Sequence, residues 1–166
     1  MENLTKTDLA VLAMGVENLD QTIFKKAVSL AQVRLKKLSD FIPLCSYLFI
    51  PPLEFEVELT DADKEVLMMV ANQMEGCMDW TTENIGKELE EAQLDSGLSR
   101  SKFFALVRMA ISGKKIGLPL NESMEIIGRN DCLIRLMYYG ETALVVLRTM
   151  KLLKENKENG VIISDI

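Results

Sequence analysis

Glycines divide this chain. Gly15, Gly76, Gly97, Gly113 and Gly128 each fall just beyond a segment whose apolar residues recur at helical spacing. A chain cut this way folds as short packed helices. Residues 20–38 (DQTIFKKAVSLAQVRLKKL) show the pattern clearly, with Ile23, Ala27, Leu30, Ala31 and Leu35 on one face of a helix opening at Asp20. A shorter helix precedes it, starting at Thr5 or Thr7 and closing near Gly15. Ser39 opens the next, where Pro43 is tolerable because it lies in the first turns, and Pro51 and Pro52 end it. Thr60 and Asp63 form a capping-box-like start for a helix with Val66, Leu67, Val70 and Met74 inward. Thr81 or Thr82 opens one with Ile85, Leu89 and Ala92 inward, and Ser99 one with Phe103, Phe104, Leu106, Val107 and Ile111 inward. A short helix from Leu120 to Ile127 follows, then a last one capped by Asn130 that Gly140 bends.

Residues 50–60 (IPPLEFEVELT) carry two prolines and alternating acids and read as an extended connector; no strand pattern competes elsewhere. The expected fold is all-α, a bundle or cage of about seven to eight helices in two subdomains. The boundaries expected are 1–53 for the first, 54–59 for the connector, 60–156 for the second and 157–166 for a tail. Composition agrees: 48% of residues are hydrophobic and only 6% aromatic, with ten methionines. Trp80, Phe103 and Phe104 are expected in the core, and so is the group Met68, Met69, Met74 and Met78.

A net charge of −6 argues against an indiscriminate binder of nucleic acid, DNA included, or of membranes, but the charge is segregated. Residues 54–95 hold thirteen acids against Lys64 and Lys87. Residues 21–39 hold Lys25, Lys26, Arg34, Lys36 and Lys37 with no acid, and residues 96–121 hold Arg100, Lys102, Arg108, Lys114 and Lys115 with none. Solvated helix faces account for each lysine singly but less well for the segregation. There is no histidine, so Ser-His, Cys-His and His-metal chemistry are unavailable. The three cysteines stand in no ligand spacing, which points to reduced thiols, no metal and a cytoplasmic setting. The longest apolar runs fall short of a membrane span.

The informative arrangement is two helices joined by the loop GKKIGLPLN, whose glycines let a ligand approach the backbone. Residues 79–136 place Trp80 before a short helix, then Val107-Arg108-Met109-Ala110-Ile111-Ser112-Gly113, then Gly117-Leu118-Pro119-Leu120, then Met124-Glu125-Ile126-Ile127-Gly128-Arg129. In order and spacing this resembles the carboxy-terminal anticodon-binding region of bacterial-type glutamyl-tRNA synthetases. That family carries an Arg-x-Ala-aliphatic-Thr/Ser-Gly segment, a small-residue and proline loop, and an amphipathic helix ending in Gly-Lys/Arg. Upstream, QVRLKKLSDFIPLCSYLF is similar to the family's Glu-Arg-x-Lys-Thr-Leu segment and its aromatic stop, with Arg34, Lys36, Leu38, Tyr47 and Phe49 at matching places. There are departures: Gly117-Leu118 stands where the family loop has Ser-Pro or Thr-Pro, and Val33 stands where it usually has an acid. Nothing resembles the His-Ile-Gly-His-type or Lys-Met-Ser-Lys-Ser-type segments of the nucleotide-binding half.

The resemblance implies a module that grips the anticodon loop of a glutamate tRNA and itself performs no catalysis. It would partner a catalytic domain in cis or in trans; no cofactor is expected here, ATP and Mg belonging to that other half. Arg34 and Arg108 are the candidates for reading a base, since a planar guanidinium fork matches the paired acceptors of cytosine and meets donors on guanine. The other reading of Arg108 is a pair with Glu122 or Glu125; for Arg34 a base contact and an ordinary surface role both stand open. Lys36, Lys37, Lys114 and Lys115 are phosphate candidates, or simply solvated. Gly117, Leu118 and Leu120 belong to the loop that touches bases in the family, although the two leucines could equally anchor it to the core. Two other readings remain: a helical interaction module docking a basic partner through residues 54–95, and the related cage of class I lysyl-tRNA synthetases.

Overall fold

Local capping chemistry sets the helix starts. In the computed structural model, which describes residues 4–139, the side chains of Thr5, Asp20, Thr60, Thr81 and Ser99 each accept a backbone N–H three residues on. Thr5 and Thr60 complete capping boxes with Asp8 and Asp63. Eight α-helices follow: α1 (Lys6–Met14), α2 (Gln21–Ala31), α3 (Phe41–Phe49), α4 (Asp61–Glu75), α5 (Thr82–Ser96), α6 (Arg100–Ser112), α7 (Leu120–Ile127) and α8 (Arg129–Met137). No strand occurs among the described residues. The expected all-α fold is observed.

Three expectations need correction. Helix α2 stops at Ala31, and residues 32–37 leave it through a turn in which the Arg34 N–H still bonds the Ala31 carbonyl at 2.8 Å. The final described helix starts at Arg129 behind Gly128, with no cap from Asn130. Met68 and Met78 are exposed, leaving Met74 in the core and Met69 packed against it. The expected bend at Gly140, the tail 157–166 and the end of the second predicted subdomain lie outside the described residues.

The apolar faces meet as their spacing requires. Ala27 and Ala31 of α2, Cys45 and Leu48 of α3, Leu67, Val70 and Met74 of α4, and Ile85, Leu89 and Ala92 of α5 share one core with Phe103, Val107 and Ile111 of α6. Residues on both sides of the 54–59 connector therefore enter the same cluster. Helix α4 packs on α5 and α8, α5 on α7, and α3 on α1, α2, α6 and α7. Trp80 is partly buried against the core, its indole N–H donating to the Met124 carbonyl at 2.8 Å. Cys45, Cys77 and Cys132 are free and buried, and burial pushes the thiols of Cys45 and Cys132 up to about 12.

One charged group lies inside this core. Arg135 of α8 is 2% exposed and donates from Nη1 to the carbonyls of Tyr47 and Ile111, both at 2.8 Å. Each acceptor belongs to the last turn of its helix, α3 or α6, where carbonyls have no partner within the helix. Burial drives the guanidinium down to about 10, still well above neutral pH, so it remains charged. Arg135→Met keeps much of the volume but strands two buried carbonyls. It is expected to lower the free energy of unfolding by roughly 3–5 kcal/mol in a urea titration, whereas exposed Arg34→Met should change it little.

Candidate nucleic-acid interface

The loop between α6 and α7 is held from several directions. Gly113 ends α6 in the left-handed conformation, φ +73°, and a Cβ there would stand 2.5 Å from the Glu54 carbonyl oxygen. Only glycine fits that turn. The connector then pairs with it: the Glu56 N–H donates to the Gly113 carbonyl at 2.9 Å, and the Lys115 N–H donates to the Glu56 carboxylate at 2.9 Å. Where the loop runs into α7, the Ser123 hydroxyl donates to the Pro119 carbonyl at 2.7 Å, which makes Tyr47 the donor in its 2.8 Å bond with Ser123.

Lys114 turns inward. Its ammonium group donates to the Pro43 carbonyl and lies 3.6 Å from the carboxylate of Asp8, which is 1% exposed and accepts the Ser46 hydroxyl at 2.5 Å. This lysine joins the loop to α1 and α3, so its charge is spent inside the protein instead of facing a phosphate. Leu118 is fully buried and Leu120 is 8% exposed. Their side chains anchor the loop to the core.

The two candidate arginines meet here. Arg34, carried out of α2 by the early turn, donates from Nη1 to the Gly117 carbonyl at 2.6 Å. Arg108, from the middle of α6, donates from Nη1 to the Leu118 carbonyl at 2.7 Å. Two guanidinium groups from distant segments thus hold consecutive carbonyls of one loop. Arg108 does not pair with Glu122 or Glu125; the Glu125 carboxylate accepts the Thr82 hydroxyl instead. Arg34 is exposed and Arg108 half-buried, and each uses one terminal nitrogen on the loop, leaving the other donors of the fork for a ligand. Lys115 and Lys37 are exposed, the Lys37 ammonium lying 3.9 Å from Asp40. Arg100 is committed elsewhere, paired with Glu90 and stacked 4.8 Å from the Phe104 ring centre.

Sequence reasoning did not single out Asp8, Ser46, Glu56 or Arg135, which fasten this region. Arg135 did leave a signal, a lone cation within the apolar run 132–137. Asp8 left none, because its capping role with Thr5 accounts for it fully. Among the described residues no three acids or cysteines cluster as a metal site, and no helix is long and apolar enough to cross a membrane.

Comparison with known proteins places this geometry in context. Residues 4–139 match the family model described as an anticodon binding domain. The chain is 34% identical over 128 residues to a glutamate–tRNA ligase of Rhodococcus jostii, covering 72% of this chain and 26% of that protein. It is 36% identical over 124 residues to the glutamate–tRNA ligase of Streptomyces avermitilis, covering 72% and 25%. A crystal structure of a glutamate tRNA ligase from Elizabethkingia meningosepticum, in complex with its amino acid, shares the fold with a TM-score of 0.66 at 18% identity, covering 82% of this chain and 28% of that one. The chain therefore spans about a quarter of the length of these relatives.

The inward lysine generates a test. Lys114→Met leaves the buried Asp8 carboxylate without its cation and is expected to lower stability by about 2–4 kcal/mol, with Asp8→Asn added on top restoring part of the loss. Lys115→Met, one residue on, should leave the urea midpoint in place.

Proposed function

The chain belongs to the anticodon binding domain family, and from that premise we propose that it recognises the anticodon loop of tRNA, with glutamate tRNA as its cognate. Attachment of the amino acid would fall to a catalytic domain with its own ATP and Mg, in cis or in trans. The observation that carries this reading is the convergence of Arg34 and Arg108 on the carbonyls of Gly117 and Leu118. A guanidinium anchored at one nitrogen is oriented before any ligand arrives, so less side-chain freedom is lost on binding.

The chemistry of the loop bases supports the choice. Unpaired bases are read on their Watson–Crick edges, and cytosine offers adjacent N3 and O2 acceptors to a donor fork, whereas guanine turns N1 and N2 donors toward it. The third anticodon base is cytosine in glutamate tRNA and guanine in glutamine tRNA, so an oriented arginine favours the former. Gly117 leaves the loop backbone open beside Arg108, whose nearest nitrogen would lie 3.8 Å from a Cβ at that position. Lys115, and less directly Lys37, supply the salt-dependent attraction to phosphate.

Binding of labelled glutamate, glutamine and lysine tRNAs across a salt series tests the proposal. The expected order places glutamate tRNA first at every salt concentration. Arg108→Ala should weaken it by roughly 1–3 kcal/mol and narrow the gap to glutamine tRNA, and Lys115→Ala should reduce the salt slope by about one without narrowing that gap. Equal binding of all three tRNAs would overturn the reading and favour a protein-interaction role for the acidic segment.

A further inference from the structure

Tyr47 stands between the buried cation of α8 and the start of α7. Its main-chain carbonyl accepts Arg135 at 2.8 Å, while its side chain runs to a residue 76 positions on and donates to the Ser123 hydroxyl at 2.8 Å. Tyr47 is 1% exposed and Ser123 fully buried. A phenylalanine would fill the same space without bringing a hydroxyl into the core, where an unbonded one costs free energy. Burial pushes the Tyr47 phenol above its ordinary range, so at neutral pH it stays protonated, as a donor must be.

The hydroxyl pair acts on one oxygen. Ser123 donates to the Pro119 carbonyl twice, from its hydroxyl at 2.7 Å and from its N–H at 3.0 Å. Pro119 has a ring-fixed φ, here −51°, and its ring nitrogen shares a planar peptide unit with the Leu118 carbonyl. Holding Pro119 therefore holds the direction of the Leu118 oxygen, which is the anchor of Arg108 at 2.7 Å. Buried as they are, Tyr47 and Ser123 reach a ligand only through that arginine. We propose that Tyr47 and Ser123 are positioning residues for base discrimination: their paired hydroxyls set the plane of the Leu118 carbonyl and with it the aim of the Arg108 guanidinium. The inference rests on the tRNA reading above and adds to it that selectivity between bases, as distinct from attraction to phosphate, depends on two hydroxyls inside the core.

The test uses the full chain and two hairpin RNAs that carry the glutamate anticodon loop and differ only in having cytosine or guanine at the third anticodon position. Tyr47→Phe and Ser123→Ala each remove one oxygen with little change of shape, and a urea titration of each variant gives the folded fraction to which its affinities are referred. Tyr47→Phe is expected to lower the preference for cytosine over guanine by about three- to tenfold, with the slope of log affinity against log salt unchanged, and Ser123→Ala to do the same. Added to Arg108→Ala, Tyr47→Phe should change the preference no further, because the group it aims is gone. An unchanged preference in both hydroxyl variants overturns the proposal. An equal loss for the two hairpins also overturns it, assigning the hydroxyls to stability alone, and so does a Tyr47→Phe effect on the preference that persists undiminished without Arg108. A parent chain that binds the two hairpins equally is a distinct result, which removes the glutamate-tRNA reading itself and the positioning role with it.

Discussion

A guanidinium buried without a carboxylate is an expensive group to keep, and the architecture around Arg135 shows how it is kept. Its Nη1 reaches the Tyr47 and Ile111 carbonyls, which terminate α3 and α6. The ends of two helix dipoles supply the negative partial charge that a counter-ion would otherwise provide. The arrangement runs both ways: the helix ends would be unsatisfied without the arginine, and the arginine would be stranded without them. Arg135 thereby fixes where α3 and α6 end relative to each other. The α6–α7 loop leaves α6 two residues beyond that junction.

The loop illustrates how a surface segment is held by backbone bonds in addition to the core anchors Leu118 and Leu120. Its backbone is engaged at Gly113, Lys115, Gly117, Leu118 and Pro119 by groups from the connector, the exit of α2, α6 and α7. Lys114 adds a charged tie to α1 and α3. Single hydrogen bonds of this kind contribute about 0.5–1.5 kcal/mol each, with those from a charged donor at the upper end or above and exposed ones lower. Several acting on consecutive residues restrict the loop far more than any of them alone. The result matters for recognition because a preset donor geometry discriminates between bases, whereas a mobile arginine merely attracts phosphate.

How much of this the sequence disclosed depends on the range of the interaction. Thr60 with Asp63, Thr81, Ser99, Gly97 and Gly113 act on their own neighbours, so helix starts and stops were legible from local chemistry. Faces such as Ile85-Leu89-Ala92 were legible from period alone. Arg34 was a candidate by family resemblance, yet its carbonyl partner lies 83 residues away, and the turn that delivers it interrupts a segment whose apolar spacing continues through Leu35. Periodicity could not see that stop, because the competing interaction is tertiary. Lys114 and Lys115 were indistinguishable as residues; burial beside Asp8 separates them. Arg135 was passed over because an arginine in an amphipathic helix is ordinarily a surface group, and only the carbonyls at two helix ends make its burial affordable.

The segregation of charge acquires a physical role once the fold is known. The acids of residues 54–95 fall largely on α4, α5 and the connector, where the carboxylates of Glu88 and Glu91 share the Gln73 amide and Glu90 takes up Arg100. A chain with six net negative charges can hold a polyanion only where its field is locally positive, and exposed charges are screened beyond about 8 Å at physiological salt. On the proposed reading, contact with RNA is governed by the charges within one such length of the α6–α7 loop, where Arg34, Arg108 and Lys115 stand beside the carboxylate of Glu56, while a backbone approaching α4 or α5 would meet repulsion. In that reading the acids of α4 and α5 would act as orienting groups, making the wrong docking face unfavourable.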